Sequence, residues 1–384
     1  MYTRLFPPPE RSFFLLGPRA TGKSTWLRQN YSNAYWVDLL DPKTYFRLQR
    51  APELLQQELA ALTRRQWVVL DEIQKLPVLL DTVQAFLSAE KKRLAFALSG
   101  SSARKLKTGG GNLLAGRALT KQFFPLVRKE YGAEFSLDEV LRFGTLPEIL
   151  SEKRPQLKRE LLQAYAATYL REEIQADAVV RNLDPFSRFL EIAAICNGQQ
   201  VNMSNIARDS GAARKSVQGY FSVLQDTLIG FFLPVWQPRL RIKESRHPKF
   251  YFFDCGVVRA LSDRLDEPLD SGEKGFLLET YLLHELRFWN QAHRVDGSFS
   301  YWKTPTAEVD IVWRKGPRRV AFEIKAQERW RHDSGVHLAE MKAKKIVRDS
   351  YGIYLGEKTI KVDDILVFPV IEFLKKLAHG DLCP

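Results

Sequence analysis

Gly17-Pro18-Arg19-Ala20-Thr21-Gly22-Lys23-Ser24-Thr25 sets two glycines, a lysine and a hydroxyl in the spacing G-x-x-x-x-G-K-S. A turn of this kind lets backbone N–H groups close around a β-phosphate, sends the lysine to the β- and γ-phosphates and offers the serine hydroxyl to Mg²⁺. Further on, Trp67-Val68-Val69-Leu70 ends in Asp71-Glu72. After such a loop, the first acid holds Mg²⁺ and the second polarises the water that attacks the γ-phosphate. Ser99, closing the run Leu94 to Leu98, has the chemistry of a polar residue facing that phosphate. The candidate ATP-binding set is therefore Gly17, Thr21, Gly22, Lys23, Ser24, Thr25 and Asp71, with Ser24 and Asp71 on the metal. Lys23, Glu72 and Ser99 form the candidate catalytic set. A second group lies far along the chain: Asp310 in Glu308-Val309-Asp310-Ile311-Val312-Trp313, and Glu323 and Lys325 in Arg318 to Lys325. Glu323 and Lys325 are two apart, so on a strand both project from one face, beside Asp310 on the hairpin partner.

These groups need elements to hold them. Ser12-Phe13-Phe14-Leu15-Leu16 and Trp67 to Leu70 are continuous apolar runs, as in parallel strands covered on both faces. Tyr35 to Leu39 and Leu94 to Leu98 read as further strands, and helical spacing begins near Thr25 and again over Lys43 to Leu62. The fold class is α/β: a parallel-sheet P-loop ATPase region, a helical middle region, and a small α/β C-terminal domain. From Glu139 to about Arg181 the pattern is helical, with Leu161, Tyr165, Tyr169 and Ile174 on it and a break at Arg154-Pro155. We place domains at 1–154, 155–270 and 271–384.

In the middle region, Met203 to Asp209 reads as a short helix, Ser210-Gly211 as a turn, and Arg214 to Ile229 as a longer helix. This is a helix-turn-helix pattern. Pro238 to Lys243 and Lys249 to Phe253 are the candidate strands of a wing. Arg214, Lys215, Gln218, Arg239 and Arg241 are the candidate nucleic-acid contacts. The alternative is a packing or dimerisation module of the same shape.

The 384 residues are 45% hydrophobic and 27% charged, ordinary for a globular protein of two or three domains. A net charge of +13 and an isoelectric point near 9.5 give a field that attracts polyanions, so nucleic acid is the leading partner and DNA the favoured one. No apolar run approaches the length of a bilayer span, so no membrane partner and a cytoplasmic location are expected. Cys196, Cys255 and Cys383 have no paired spacing, which excludes a disulfide framework or a zinc motif. Lys105 to Asn112, with three consecutive glycines and three basic or hydroxyl-bearing residues, reads as a flexible connection.

Gly17 to Ser24, Val68 to Glu72, Ser99-Gly100-Ser101-Ser102, Leu114-Ala115-Gly116-Arg117 and Phe124-Pro125-Leu126 resemble a family of prokaryotic AAA-type ATPases. The resemblance implies ATP binding and hydrolysis on an additional-strand, catalytic-glutamate sheet, joined to a C-terminal region with a restriction-endonuclease-like fold. In AAA-type proteins an arginine often acts on a neighbouring subunit's nucleotide. Arg117 and Arg104 are candidates by position, and a homo-oligomer follows if either is used. A helix carrying Glu279, then the hairpin with Asp310 and Glu323-x-Lys325, resembles the PD-(D/E)XK nuclease core. That likeness implies Asp310, Glu323 and Glu279 as Mg²⁺ ligands and Lys325 orienting or deprotonating the attacking water, with Glu308 and Glu285 as neighbouring alternatives. Lys342, Lys344, Lys345 and Arg348 read as a basic helix able to follow a phosphate backbone. The competing reading is a nucleotide-controlled switch whose nuclease-like domain is an inactive scaffold.

Overall fold

The computed structural model describes residues 2–89, 93–102, 114, 116–132, 135–169, 183–236 and 247–384. Arg104, Arg239, Arg241, Ala115, Ile174, the segment Lys105 to Asn112 and the expected wing strand Pro238 to Lys243 lie outside them.

The N-terminal region alternates strands and helices: β1 (Phe13–Leu16), α1 (Lys23–Asn30), β2 (Tyr35–Asp38), α2 (Pro42–Arg50), α3 (Glu53–Ala60), β3 (Gln66–Asp71), α4 (Leu79–Ser88), β4 (Leu94–Gly100) and β5 (Leu119–Gln122). All five strands pair in parallel in the order β2-β3-β4-β1-β5. Alternation splits the apolar runs between two cores. Phe14, Leu16, Val68, Leu70, Phe96 and Leu98 pack on one face, and Phe13, Leu15, Val69, Ala97, Trp26 and Phe123 on the other. The helical stretch expected over Lys43 to Leu62 is two helices, with Pro52 standing just before α3.

The middle region is α5 (Arg128–Tyr131), α6 (Leu137–Phe143), α7 (Pro147–Ser151), α8 (Pro155–Ala164) with a π turn over Tyr165–Tyr169, α9 (Leu183–Ile195), α10 (Met203–Ser210), α11 (Arg214–Asp226), β6 (Gly230–Leu233), β7 (Lys249–Phe252) and α12 (Cys255–Leu261). Gly211 takes the left-handed conformation, φ 68°, that ends α10 and turns the chain into α11. Val217, Tyr220, Phe221 and Leu224 are buried at helical spacing on α11, leaving Arg214, Lys215 and Gln218 exposed. The expected partner of Lys249 to Phe253, Pro238 to Lys243, lies outside the described residues. Among the described residues β7 pairs antiparallel with β6, directly after α11. Gly230 is required there, because a Cβ would stand 2.1 Å from the Phe250 ring.

The C-terminal region opens with the long helix α13 (Ser271–Ala292), followed by β8 (Ser298–Lys303), β9 (Glu308–Lys315), β10 (Arg318–Lys325), α14 (Val336–Ala343), β11 (Asp349–Tyr354), β12 (Ile360–Val362), β13 (Ile365–Pro369) and α15 (Val370–His379). Its six strands form a mixed sheet in the order β12-β13-β11-β10-β9-β8. The basic helix expected from Lys342 to Arg348 stops at Ala343. Leu338 and Met341 hold α14 on the sheet, and the chain must then return to β10, where Arg348 N–H donates to Arg319 O at 2.9 Å. The basic groups are also engaged, Lys342 with Asp364 O, Lys344 with Glu340 and Arg348 with Asp349. One apolar core runs from Phe124 to Leu382 and crosses both expected boundaries, near 155 and 271.

Candidate functional site

Two sites emerge, one at the carboxyl edge of the N-terminal sheet and one on the C-terminal sheet. Parallel register brings Leu16, Asp71 and Gly100 to the same edge: Leu16 pairs with Gly100, and Leu70 with Leu98 one step before Asp71 and Ser99. The Gly17–Thr25 loop leaves this edge from β1, between β4 and β5. Gly22 has φ 91°, open to glycine and strained for other residues, and it starts α1. No side chain caps α1 and no acid occupies its first turn, so its N-terminal N–H donors and dipole face the loop without an internal anion. Lys23 is buried, and its ammonium donates to Gly17 O at 2.8 Å and Pro18 O at 2.9 Å. Thr21 is also buried, with its hydroxyl donating to Pro18 O at 2.9 Å, so it closes the loop. Ser24 is half-buried and Thr25 exposed. Gly17 has a packing reason of its own: a Cβ would lie 2.2 Å from Phe123 O.

Asp71, Glu72 and Ser99 come together as expected. The Ser99 hydroxyl donates to Asp71 Oδ1 and accepts from Glu72 N–H at 3.0 Å. Glu72 is a buried non-glycine residue at φ 60°, ψ 45°, a strained conformation of the sort that concentrates at functional sites. Gln74 holds it there, donating to Glu72 Oε2 and, at 3.0 Å, to Ser101 Oγ. Arg117 lies elsewhere. β5 runs parallel to β1, so Arg117, exposed two residues before β5, sits at the amino edge, away from the loop.

Arg4 carries no sequence signal of a role at this site. Its buried guanidinium donates to Glu130 at 3.0 Å, to Thr21 O at 2.7 Å and to Phe124 O at 2.7 Å, tying the loop to the chain after β5. Tyr165 adds a second tie, its hydroxyl donating to Arg19 O at 3.3 Å.

On the C-terminal sheet, the pairing of Ile311 with Phe322 sets Asp310 opposite Glu323, on the face shared with Val312 and Ala321. Asp310 accepts Ile324 N–H at 2.7 Å, and Lys325 pairs with Glu323 Oε1 at 2.5 Å. All three line an open cavity of about 680 Å³ with Lys303, Glu308 and Arg331. Glu279 reaches the group from α13, accepting the Tyr251 hydroxyl at 2.6 Å. Burial pushes the Glu279 and Glu323 carboxyls up, and Asp310 adds to both, while Lys249 and Lys325 oppose. For Lys249 and Lys325 burial pulls downward, yet the surrounding carboxylates outweigh it and both ammonium groups end above their ordinary values.

Among the described residues no three His, Cys, Asp or Glu side chains converge to hold a metal ion. Protein donors meet these carboxyls: Lys249 and Tyr251 at Glu279, the Ile324 N–H at Asp310 and Lys325 at Glu323. Glu285 belongs to a different place: it accepts Arg128 N–H at 2.6 Å, the Tyr281 hydroxyl at 2.9 Å and Trp289 Nε1–H at 3.2 Å. A buried carboxylate with those partners braces α13 against α5. Lys249 and Tyr251, which complete the acid cluster, were read in the sequence only as part of a wing strand.

Residues 9–132 match the family model described as an AAA domain, a nucleotide-binding module of ATPase type. Residues 134–268 match a domain of unknown function (DUF8612), and residues 274–373 another (DUF4143). Uncharacterized proteins of Mycobacterium bovis and Mycobacterium tuberculosis are each 25% identical over 321 residues, covering 81% of this chain and 69% of theirs. A crystal structure of a Vibrio cholerae protein aligns over 97% of both chains at 10% identity with a TM-score of 0.24, from which no fold statement follows. Among the described residues no helix is long and apolar enough to cross a membrane.

Proposed function

We propose that this chain hydrolyses ATP at the carboxyl edge of its N-terminal sheet and uses the cycle to act on DNA through its middle region. The observation that carries the first part is the junction of the Gly17–Thr25 loop with Asp71, Glu72 and Ser99 on adjacent strand ends. The strand order β2-β3-β4-β1-β5 agrees with the additional-strand, catalytic-glutamate arrangement, because a strand separates the loop-bearing β1 from the acid-bearing β3. The uncapped, acid-free start of α1 fits a phosphate group. Ser24 and Asp71 would hold Mg²⁺, which when bound neutralises charge on the phosphate oxygens. Lys23 would exchange its carbonyl partners for phosphate oxygens, and Glu72 would accept the proton of the attacking water, with Gln74 fixing its carboxylate. Ser99 would keep Asp71 oriented.

The decisive experiment measures ATP binding and turnover side by side. Lys23→Ala should remove binding or turnover. Glu72→Gln should keep binding and lower turnover by roughly 10²–10⁴-fold, the usual weight of a general base. A Glu72→Gln chain that turns over ATP at the original rate sinks the assignment. Exposed Arg214, Lys215 and Gln218 support the DNA part, which predicts that DNA raises turnover.

A second reading, the nucleotide-controlled switch, is favoured by the lysine partners that Glu279, Glu308 and Glu323 hold in the C-terminal region. Sizing with and without ATP, beside a DNA titration, separates the two. A change of assembly state that needs no DNA, with turnover indifferent to DNA, selects the switch.

A further inference from the structure

β7 carries a buried lysine into an acid cluster that belongs to other elements. Lys249 is 5% exposed, and its ammonium lies 2.8 Å from Glu308 Oε1 on β9 and 3.6 Å from Glu279 Oε2 on α13. Tyr251, on the same face two residues later, donates to that same Glu279 oxygen. The ammonium also stands 5.3 Å from the centre of the Tyr301 ring, and the Tyr301 hydroxyl donates to His247 O at 2.6 Å, which anchors the approach to β7. Lys325 does the matching work on the other side, at Glu323.

We propose that Lys249 is the resident cation of this cluster, a tethered ammonium that holds Glu279 and Glu308 together and keeps divalent metal out. A divalent ion of the magnesium or manganese kind needs several oxygens at about 2.0–2.2 Å in near-octahedral array. Here the carboxylates are arranged around a compact point charge with N–H donors, which lysine supplies and a bare ion does not. Lys249 thus brings a cation from the middle region to Glu279 and Glu308, beside Lys303 and Lys325 of the sheet itself. One oxygen, Glu323 Oε2, is buried without a partner, and it marks where an ion would enter were the assignment wrong.

The test is a Mn²⁺ titration of the full chain without nucleotide, followed by calorimetry and by the paramagnetic signal of free Mn²⁺, with Asp71→Asn used to subtract binding at the N-terminal site. The unaltered chain should bind no Mn²⁺ at the C-terminal cluster through roughly the 10⁻⁴–10⁻³ M range of weak oxygen-ligand sites. Lys249→Gln should lower the melting temperature by about 5–10 °C, as expected for a buried ion pair that loses one partner. Mn²⁺ should restore it, while Lys249→Arg should stay insensitive to Mn²⁺. Binding by the unaltered chain that Asp310→Asn or Glu323→Gln removes overturns the proposal. So does a Lys249→Gln chain that Mn²⁺ neither binds nor stabilises, including one that stays unfolded with the ion present.

Discussion

Glu285 shows how one carboxyl can make stability depend on pH without touching either site. Burial raises its pKa to about 7 from an ordinary 4.5, against the pull of Arg128 N–H, Tyr281 and Trp289. A raised carboxyl contributes stability that is fully present below the unfolded value and lost as pH climbs through the folded one, so the window is pH 4.5 to 7. Asp254, pushed by burial to about 6, acts in the same direction. His284, one residue from Glu285, acts the other way. Burial lowers it to about 4, so its contribution is present above pH 6.5 and fades as pH falls towards 4. The expected melting profile therefore rises as pH falls below about 7, pauses near pH 6 to 6.5 where His284 offsets Glu285, and rises again towards about 4.5, where Asp254 joins Glu285. Glu285→Gln, which keeps the shape and removes the proton, should reduce the rise, by roughly 3 kcal/mol of stability at most, the equivalent of a carboxyl moved from 4.5 to about 7. An unchanged slope in a pH series of melting temperatures would show that Glu285 is not the proton carrier. At the Gly17–Thr25 loop, the same scale explains why Gln74 and Arg4 had to be seen rather than read. Arg4 meets Glu130 across 126 positions, and neither residue has a local pattern that announces the other.

At the scale of elements, α10 and α11 carry a prediction for nucleic acid. Arg214 and Lys215 sit exposed at the start of α11, while Val217, Tyr220, Phe221 and Leu224 hold its other face. If each basic side chain neutralises one phosphate, the double variant Arg214→Ala/Lys215→Ala should lower the slope of log affinity against log salt by roughly 2. Anisotropy of a labelled duplex at several salt concentrations reads this directly, and an unaltered slope removes α11 from the interface. Elements were legible where one physical signal dominated. β1 and the runs Trp67 to Leu70 in β3 and Leu94 to Leu98 in β4 are apolar because both faces of the sheet are covered, and α11 has clean helical spacing. They failed where a distant partner decided. Gly230-Phe231-Phe232-Leu233 carries no strand assignment from sequence, because only its pairing with Lys249 to Phe252 makes it a strand. Lys344 to Arg348 left the helix because the chain had to rejoin β10.

For the whole molecule, α13 is the beam joining the two sites. At one end Glu279 enters the acid cluster, and twelve residues on, about 18 Å along the axis, Gln291 meets β5 of the N-terminal sheet. Between them His284 contacts Leu126 O at 3.1 Å, and Arg287 lies over the Phe231 ring with its guanidinium 3.8 Å from the centroid. The charge total and the broad succession of regions were visible in the sequence. The continuity of the core from Phe124 to Leu382 was not, because helical spacing reports that a face is covered and not by what.

The contact at Gln291 has a consequence for handling the protein. β5 is the last strand of its sheet, and alternate N–H groups, those of Leu119 and Phe123, already point to the β1 side. Gln122 therefore offers its peptide outward, and the Gln291 side-chain amide takes both halves of it, accepting N–H at 2.9 Å and donating to C=O at 2.7 Å. A side-chain amide is a peptide group in miniature, so Gln291 stands in for one residue of a sixth strand. Sheet margins left unfilled recruit other chains. Gln291→Ala should leave ATP turnover at low protein concentration nearly intact, yet light scattering during a slow thermal ramp should begin at lower temperature and depend more steeply on concentration.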